Sequence, residues 1–339
     1  MKLRSLVLLF AKISLVFTFV VVIAGSVVRM TGSGMGCPDW PKCFGHFIPP
    51  TSEAELKLMD GAAFDKGMMM IYHDTLWVAN ENLKVNGGFD HAQWHKYPKH
   101  DYATFNVLHT WVEYVNRLAT VVYALPIVVL SFLCLILLIR EKDWGTFLLA
   151  LFTDIMIGYE IWLGKLVVDG NLKENSITYH MFGSIAIISL LLLLIYRHRK
   201  KRERVQAQPG LRLWIFIMLV LAFLQIMFGT QVREQVDIVA KLTSDRSTWI
   251  DQLPLIFKIH RSFSILVTLV AIVLIFTYRK MAGHIWQVNI MILLLALEIL
   301  VGVVLSYFSM PATLQPIHLL LGVLLFASNF YAYLLVRAR

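Results

Sequence analysis

Eight apolar runs, each long enough to cross a bilayer, decide what this chain can fold into. They cover roughly 8–30, 110–139, 144–168, 178–197, 211–233, 255–278, 284–308 and 315–336. A hydrocarbon layer about 30 Å thick takes about 20 helical residues to span. Inside it the backbone finds no water, so every run must satisfy its own N–H and C=O groups as a helix. With 58% hydrophobic residues in 339, the expected fold is an all-α integral membrane protein of eight transmembrane helices. No small-residue cleavage site follows the first run, which is therefore expected to stay as a helix rather than be removed as a signal.

The net charge of +9 follows this topology and is no nucleic-acid signature. Lys2, Arg4 and Lys12 lie near the start of the first run, and Arg140 and Lys142 lie between the second and third. Arg197–Arg204 is the densest basic stretch, Arg279 and Lys280 follow the sixth run, and Arg337 and Arg339 end the sequence. With eight spans these all fall on one side, which the positive-inside rule makes cytoplasmic, with both termini inside. The lack of a transit-peptide pattern favours a bacterial cytoplasmic membrane over a mitochondrial one.

On the outer side, His109, Glu113 and Asn116 stand at i, i+4 and i+7, one face of the helix that becomes the second span, with Arg117 beside them. An imidazole and a carboxylate at the mouth of a membrane helix are costly to bury and read as a functional site. The turn after the first span holds Cys37 and Cys43 around Pro-Asp-Trp-Pro. This pair reads either as a structural disulfide or as a redox-active one. Metal ligation fits less well, because the spacing matches no common zinc pattern. Cys134, inside the second span, reads as a packing residue. The outer segment from about 46 to 105 is too long to be structureless, so short helices lying over the membrane surface are expected. Its histidines, His91, His95 and His100, read as solvated and interfacial.

The chain is also duplicated. Glu160 and Gly164 are followed by His180 as Glu298 and Gly302 are followed by His318, with the same intervals in both. More loosely, Gly25-Ser-Val-Val-Arg29 aligns with Gly229-Thr-Gln-Val-Arg233, and Asn116-Arg117 with His260-Arg261. Two four-helix bundles, 1–200 and 201–339, are expected in tandem, related by an axis along the membrane normal. The first carries the long outer loop of about 31–105.

Within this scheme His180, His260 and His318 occupy the first turns of their helices, with His109 near the same level. His260 and His318 would face one another, and two neutral imidazoles on facing helices can ligate a haem from both sides. Arg29, Arg117, Arg233 and Arg261 stand where bidentate pairing could hold propionates.

The block Gly-Ser-Val-Val-Arg29…Thr-Gly-Ser-Gly-Met-Gly-Cys37-Pro-Asp-Trp-Pro-Lys-Cys43 closely resembles the first-loop signature of haem A synthases. Glu113-Tyr-Val-Asn-Arg117, His260-Arg261 and Gln315-Pro-Ile-His318 are similar to further motifs of that family. The resemblance covers all eight spans. It implies oxidation of the C8 methyl of haem O to the formyl of haem A, for a terminal haem-copper oxidase. It also implies a haem b in the C-terminal half on the irons' ligands His260 and His318. The N-terminal half would take haem O, with His180 as an iron ligand and Glu113 as catalytic carboxylate. Implied partners are the haem O synthase (a farnesyltransferase), oxidase assembly factors and membrane lipid, with a homo-oligomer open.

One departure stands out, since the family carries histidine where this chain has Asn116. His109 lies about 10 Å along the helix axis on the same face and is the expected replacement. The expected chemistry is two successive hydroxylations of one methyl, the gem-diol then losing water, with the haem b carrying electrons away. Glu113 would accept a proton; its rival role is an ion pair with Arg117 one turn on. Three other functions account for less of the sequence. An electron-transfer dihaem cytochrome leaves Glu113 and the cysteine loop without a purpose. A quinone-linked thiol oxidoreductase using Cys37 and Cys43 leaves the duplicated histidines without one. A transporter fits poorly, because the ionisable residues gather at one surface.

Overall fold

The computed structural model describes residues 2–170, 175–199, 205–206, 210–279 and 285–337. Residues 200–204 of the basic stretch, Lys280 and Arg339 lie outside the described residues. Eight long helices account for the apolar runs: α1 Leu3–Met30, α2 Val107–Glu141, α3 Trp144–Asp169, α4 Ser176–His198, α5 Leu211–Leu242, α6 Leu255–Arg279, α7 Trp286–Tyr307 and α8 Leu314–Leu335. All eight are long and apolar enough to cross a membrane. Large side chains such as Val128, Phe132, Phe152, Ile155 and Leu300 point outward, an arrangement that lipid tolerates because its tails are as apolar as they are.

Local chemistry sets the helix ends. Asn106 caps α2, its side-chain oxygen accepting the His109 N–H at 3.1 Å, and Asp143 caps α3 through the Thr146 N–H at 3.2 Å. Helix α1 closes at Gly32, whose φ of +71° suits a residue without Cβ, while the Ser33 N–H reaches back to the Val28 carbonyl. Helix α5 continues nine residues past Arg233, where the apolar run was expected to end. Val232, Val236 and Val239 form a buried stripe at helical spacing against Trp249, Leu253 and Phe257, and Arg233 pairs with Asp237 one turn on. The extension is amphipathic, so average hydropathy misses it.

The chain divides into two compact units. The larger comprises Met1–Ser26, Val121–Glu160 and Ile177–Arg339. One of its cores joins Ala11 of α1, Leu130 and Leu137 of α2, and Ile188 and Leu191 of α4 to Ile226 of α5 and Phe326 of α8. Another packs Ile215 and Met218 of α5 against Leu274 of α6 and Val288 and Met291 of α7.

The smaller unit, Val27–Thr120 with Ile161–Ser176, corrects the expectation of surface helices. Apart from one 3-10 turn at Glu53–Leu56, the outer segment is built of strands. β2 Met69–Tyr72, β3 Thr75–Ala79 and β5 Trp94–Lys96 make an antiparallel sheet in the order β2-β3-β5, and β1 Ala63–Phe64 pairs with β4 Leu83–Lys84. The β2–β3 turn is His73-Asp74, both residues at positive φ (46° and 51°), the type I′ geometry whose twist matches a hairpin. Leu56, Met69, Leu76, Val78 and Tyr97 form one small core, shared with Cys37, Cys43 and Phe44. Met70, Val85, Phe64 and Trp94 form the other. In the sequence, Met68-Met-Met-Ile-Tyr72 shows no alternation of apolar and polar residues because both faces of β2 are covered, which hid the strand.

Candidate functional site

In the smaller unit, the first turns of α2 grip the turn that follows α1. Cys37 and Cys43, both buried, are joined by a disulfide. Thr110 Oγ1 donates to the Gly36 carbonyl at 2.8 Å, and Glu113 Oε2 accepts the Cys37 N–H at 2.9 Å. Arg117 donates to the carbonyls of Lys42 at 2.7 Å and Asp39 at 2.8 Å, and to Glu113 Oε1 at 2.5 Å. Thr110, Glu113 and Arg117 recur at i, i+3 and i+7, so one helix face supplies the whole clamp. A Cβ at residue 36 would run into the His109 backbone carbonyl, which explains the glycine. Asp39 Oδ2 accepts the Gly45 N–H at 3.0 Å. Burial pushes the Asp39 carboxyl above its ordinary pKa, against the opposing pull of the Gly45 and Phe44 N–H groups and the Arg117 charge. Tyr97 Oη donates to the Pro38 carbonyl at 3.1 Å.

The geometry therefore contains the Glu113–Arg117 ion pair and turns Arg117 toward loop carbonyls. Arg29 donates to Ser176 Oγ at 3.4 Å. The His109 ring has no partner among the described residues, and Asn116 Oδ1 is buried without one.

In the larger unit a carboxylate meets a histidine twice. Glu160 Oε2 lies 2.6 Å from His180 Nδ1, and Glu298 Oε2 lies 3.3 Å from His318 Nδ1. Each contact is walled by a glycine: a Cβ at Gly183 would strike Glu160 Oε1, and one at Gly322 would approach Glu298 Oε1 to 3.1 Å. The first contact is a hydrogen bond, and a carboxylate so placed on Nδ1 leaves Nε2 as the metal-binding nitrogen. The second is an approach by distance alone, since Glu298 Oε2 and His318 Nδ1 make no hydrogen bond.

His318 also faces His260, with ring centroids 6.3 Å apart and planes at 90°. Two imidazoles sharing one metal through bonds of about 2 Å, with about 1 Å more from nitrogen to ring centre on each side, have centroids about 6 Å apart. The pair thus has the spacing of two axial ligands. Gly229 and Gly302 lie against these rings, where a Cβ would come within 3.1 Å of His260 Cε1 and 3.3 Å of His318 Cε1. His260 Nδ1 is buried with no partner, and the Gln225 amide donates to the His260 carbonyl at 3.1 Å. Arg233 bonds to Gln315 and Asp237, while Arg261 is exposed, with its guanidinium 5.5 Å from the Phe257 ring centre. No group of three or more His, Cys, Asp and Glu suited to a bare metal ion occurs among the described residues. Two opposed imidazoles instead suit a metal whose remaining ligands come from its own macrocycle.

The repeat in the sequence marked Glu160 and Glu298 but gave them no role. The signal was present, since each stands twenty residues before its histidine. The clamp residue Thr110 carried no signal, because a single threonine among helix formers is unremarked by any pattern.

A family model described as cytochrome oxidase assembly protein (COX15-CtaA) matches residues 8–70 and 89–330. The chain is 28% identical over 180 residues to the protein named heme A synthase of Shewanella oneidensis. That alignment takes in 53% of this chain and 42% of the relative, so the chain matches under half of the relative's length.

Proposed function

The chain belongs to the COX15-CtaA family of cytochrome oxidase assembly proteins, and from this membership we propose that it is a haem A synthase. It oxidises the C8 methyl of haem O to the formyl of haem A in a bacterial cytoplasmic membrane. The observation that carries the reading is the His260–His318 pair at axial-ligand spacing, joined to a Glu–His contact that occurs twice. A b-type haem held by His260 and His318 would supply one-electron chemistry. Glu298, whose Oε2 lies 3.3 Å from His318 Nδ1, would orient His318 as a ligand. Glu160 does the same for His180, the proposed iron ligand for haem O, and His109 is the second candidate. Glu113, with both oxygens engaged by Arg117 and the Cys37 N–H, is a positioned carboxylate that accepts a proton during methyl oxidation. Arg233 and Arg261 remain the candidates for propionate pairing in the C-terminal half.

The test is haem extraction and chromatography of protein purified from cells that also make haem O. Haem B together with haem O or haem A is the expected result. Haem B alone, with no conversion of added haem O, would replace this reading with an electron-transfer cytochrome.

A further inference from the structure

The first four helices hold a string of polar side chains in the membrane interior that the chemistry above does not use. Asp154, near the middle of α3, accepts a hydrogen bond from Ser131 Oγ of α2 at 2.8 Å. An ionisable carboxylate at that depth is expensive and marks function by default. On α2, Tyr123 stands eight residues before Ser131, about 12 Å along the axis, and its hydroxyl lies 3.1 Å from Thr18 Oγ1 of α1. One turn earlier on α1, Ser14 is fully buried and its hydroxyl has no protein partner. Thr18 donates to the Ser14 carbonyl at 2.9 Å, whereas Ser14 makes no such back-bond. A buried unpaired hydroxyl of this kind calls for an explanation, and a hydrogen-bonding guest is the ordinary one.

The duplication supplies a control. Carried along the helices from Gly25 and Gly229, Asn116 and His260, and Glu160 and Glu298, these five positions have definite counterparts. Ser14 corresponds to Met218, Thr18 to Ala222, Tyr123 to Val267, Ser131 to Ile275 and Asp154 to Ile292. Burial agrees pair by pair: the first three pairs are buried in both copies, and the last two are half-buried in both. The same five environments are therefore polar in one copy and apolar in the other. The second copy has interior polar residues of its own, among them Thr230, Tyr278, Gln287, Ser328 and Asn329, with Glu298 as an acid, but none stands at these five positions. At these five matched positions, packing alone would not place every hydroxyl and the acid in the same copy.

We propose that Asp154 is the central station of a proton pathway through α1–α3, with Ser131, Tyr123, Thr18 and the Ser14 hydroxyl as its stepping stones. At each hop one O–H bond forms as another breaks: the Asp154 carboxylate takes a proton on one oxygen, then releases it to the next hydroxyl or water. The titratable groups within electrostatic reach of Asp154 are Cys134 and Tyr123 of α2. The pathway's existence is independent of the proposed synthase activity; its purpose, carrying protons to or from methyl oxidation, rests on that reading.

Infrared spectra of the purified full-length protein in H2O and D2O, across a pH series, test the existence. The expected result is a protonated-carboxyl C=O band that titrates and shifts in D2O, is lost in Asp154→Asn, persists in Asp154→Glu and moves in Ser131→Ala. Identical bands in wild type and Asp154→Asn, or an Asp154 band unmoved by D2O, would overturn it. Conversion of added haem O tests the purpose. Asp154→Asn should slow it about a hundredfold, the lower end of what positioned proton transfer contributes, with Asp154→Glu restoring most of the rate and bound haem unchanged. An undiminished rate in Asp154→Asn would overturn the purpose. A wild type that converts no haem O counts against the synthase reading, and the infrared result stands apart from it.

Discussion

Glu160–His180 and Glu298–His318 pair the same residue types at the same sequence interval, but the first is a hydrogen bond and the second only an approach, and their surroundings differ. His318 faces a second imidazole, His260, with ring centres 6.3 Å apart, whereas His180 has no ring contact among the described residues. Its carboxylate partner is also closer, 2.6 Å against 3.3 Å. A histidine with a facing partner suits a group that stays, because two protein ligands must both let go before it leaves. A histidine with only its orienting carboxylate suits a group that arrives and departs. The difference teaches that a repeated sequence pattern can set alike side chains in unlike surroundings, by altering what stands opposite one of them.

The largest effect that would break this comparison is loss of the resident group. His260→Ala or His318→Ala should abolish bound haem B in the purified protein, as read by a pyridine haemochrome spectrum. His180→Ala should keep haem B and lose only retained haem O. Equal loss of haem B in all three would erase the distinction between the two histidines. Next in size is product formation. His109→Ala should abolish haem A, and Asn116→Ala should leave most of it; the reverse pattern would return the ligand role to position 116. Glu113→Gln should cut the rate of haem A formation about a hundredfold, and a full rate would leave only the structural ion pair with Arg117.

A smaller effect sharpens the comparison. Glu298→Gln should weaken haem B binding about 10–100-fold through the altered orientation of its ligand, while Glu160→Gln leaves haem B untouched. Haem titration of the stripped protein would measure both. The smallest effect concerns the ends of the two helices that carry these glutamates. Helix α3 begins at a buried acid, Asp143, whereas α7 begins after Ile285 with no side-chain cap. Burial alone would raise the Asp143 pKa, but hydrogen bonds from Arg197 and Thr146, with the Arg197 charge, hold it at about 2. Because the folded value is depressed below 3.8, its contribution is complete above pH about 4 and fades as the pH falls toward 2. Asp143→Asn should therefore lower stability at neutral pH by at most about 2 kcal/mol and flatten the acid limb of a melting-temperature series. An unchanged acid limb would show that the cap does not couple to folding.

The membrane helices were legible because lipid leaves the chain one solution, and each long apolar run declares it. The family was legible from the glycine-rich turn around Cys37 and Cys43, whose residues are dictated by contacts such as the close approach of Gly36 to His109. The outer sheet was not legible. Strands β2 and β3 bury residues on both faces and so lack alternation, and the His73-Asp74 turn uses neither asparagine nor glycine, the usual signals of its type. The end of α5 was missed because its stripe of three valines is carried between charged residues. Glu160 and Glu298 were visible as a repeat, but only side-chain geometry shows that each carboxylate reaches its histidine. Nothing in the linear order of residues announces a contact between two helices.

The family match passes over residues 71–88, and this gap contains the hairpin turn and the whole of β3, the middle strand of the outer sheet. The matched stretches resume at residue 89, so β5 and helices α2–α7 fall within the family pattern while β3 does not. Antibodies or tags aimed at residues 71–88 would therefore meet a stretch that the family pattern does not describe.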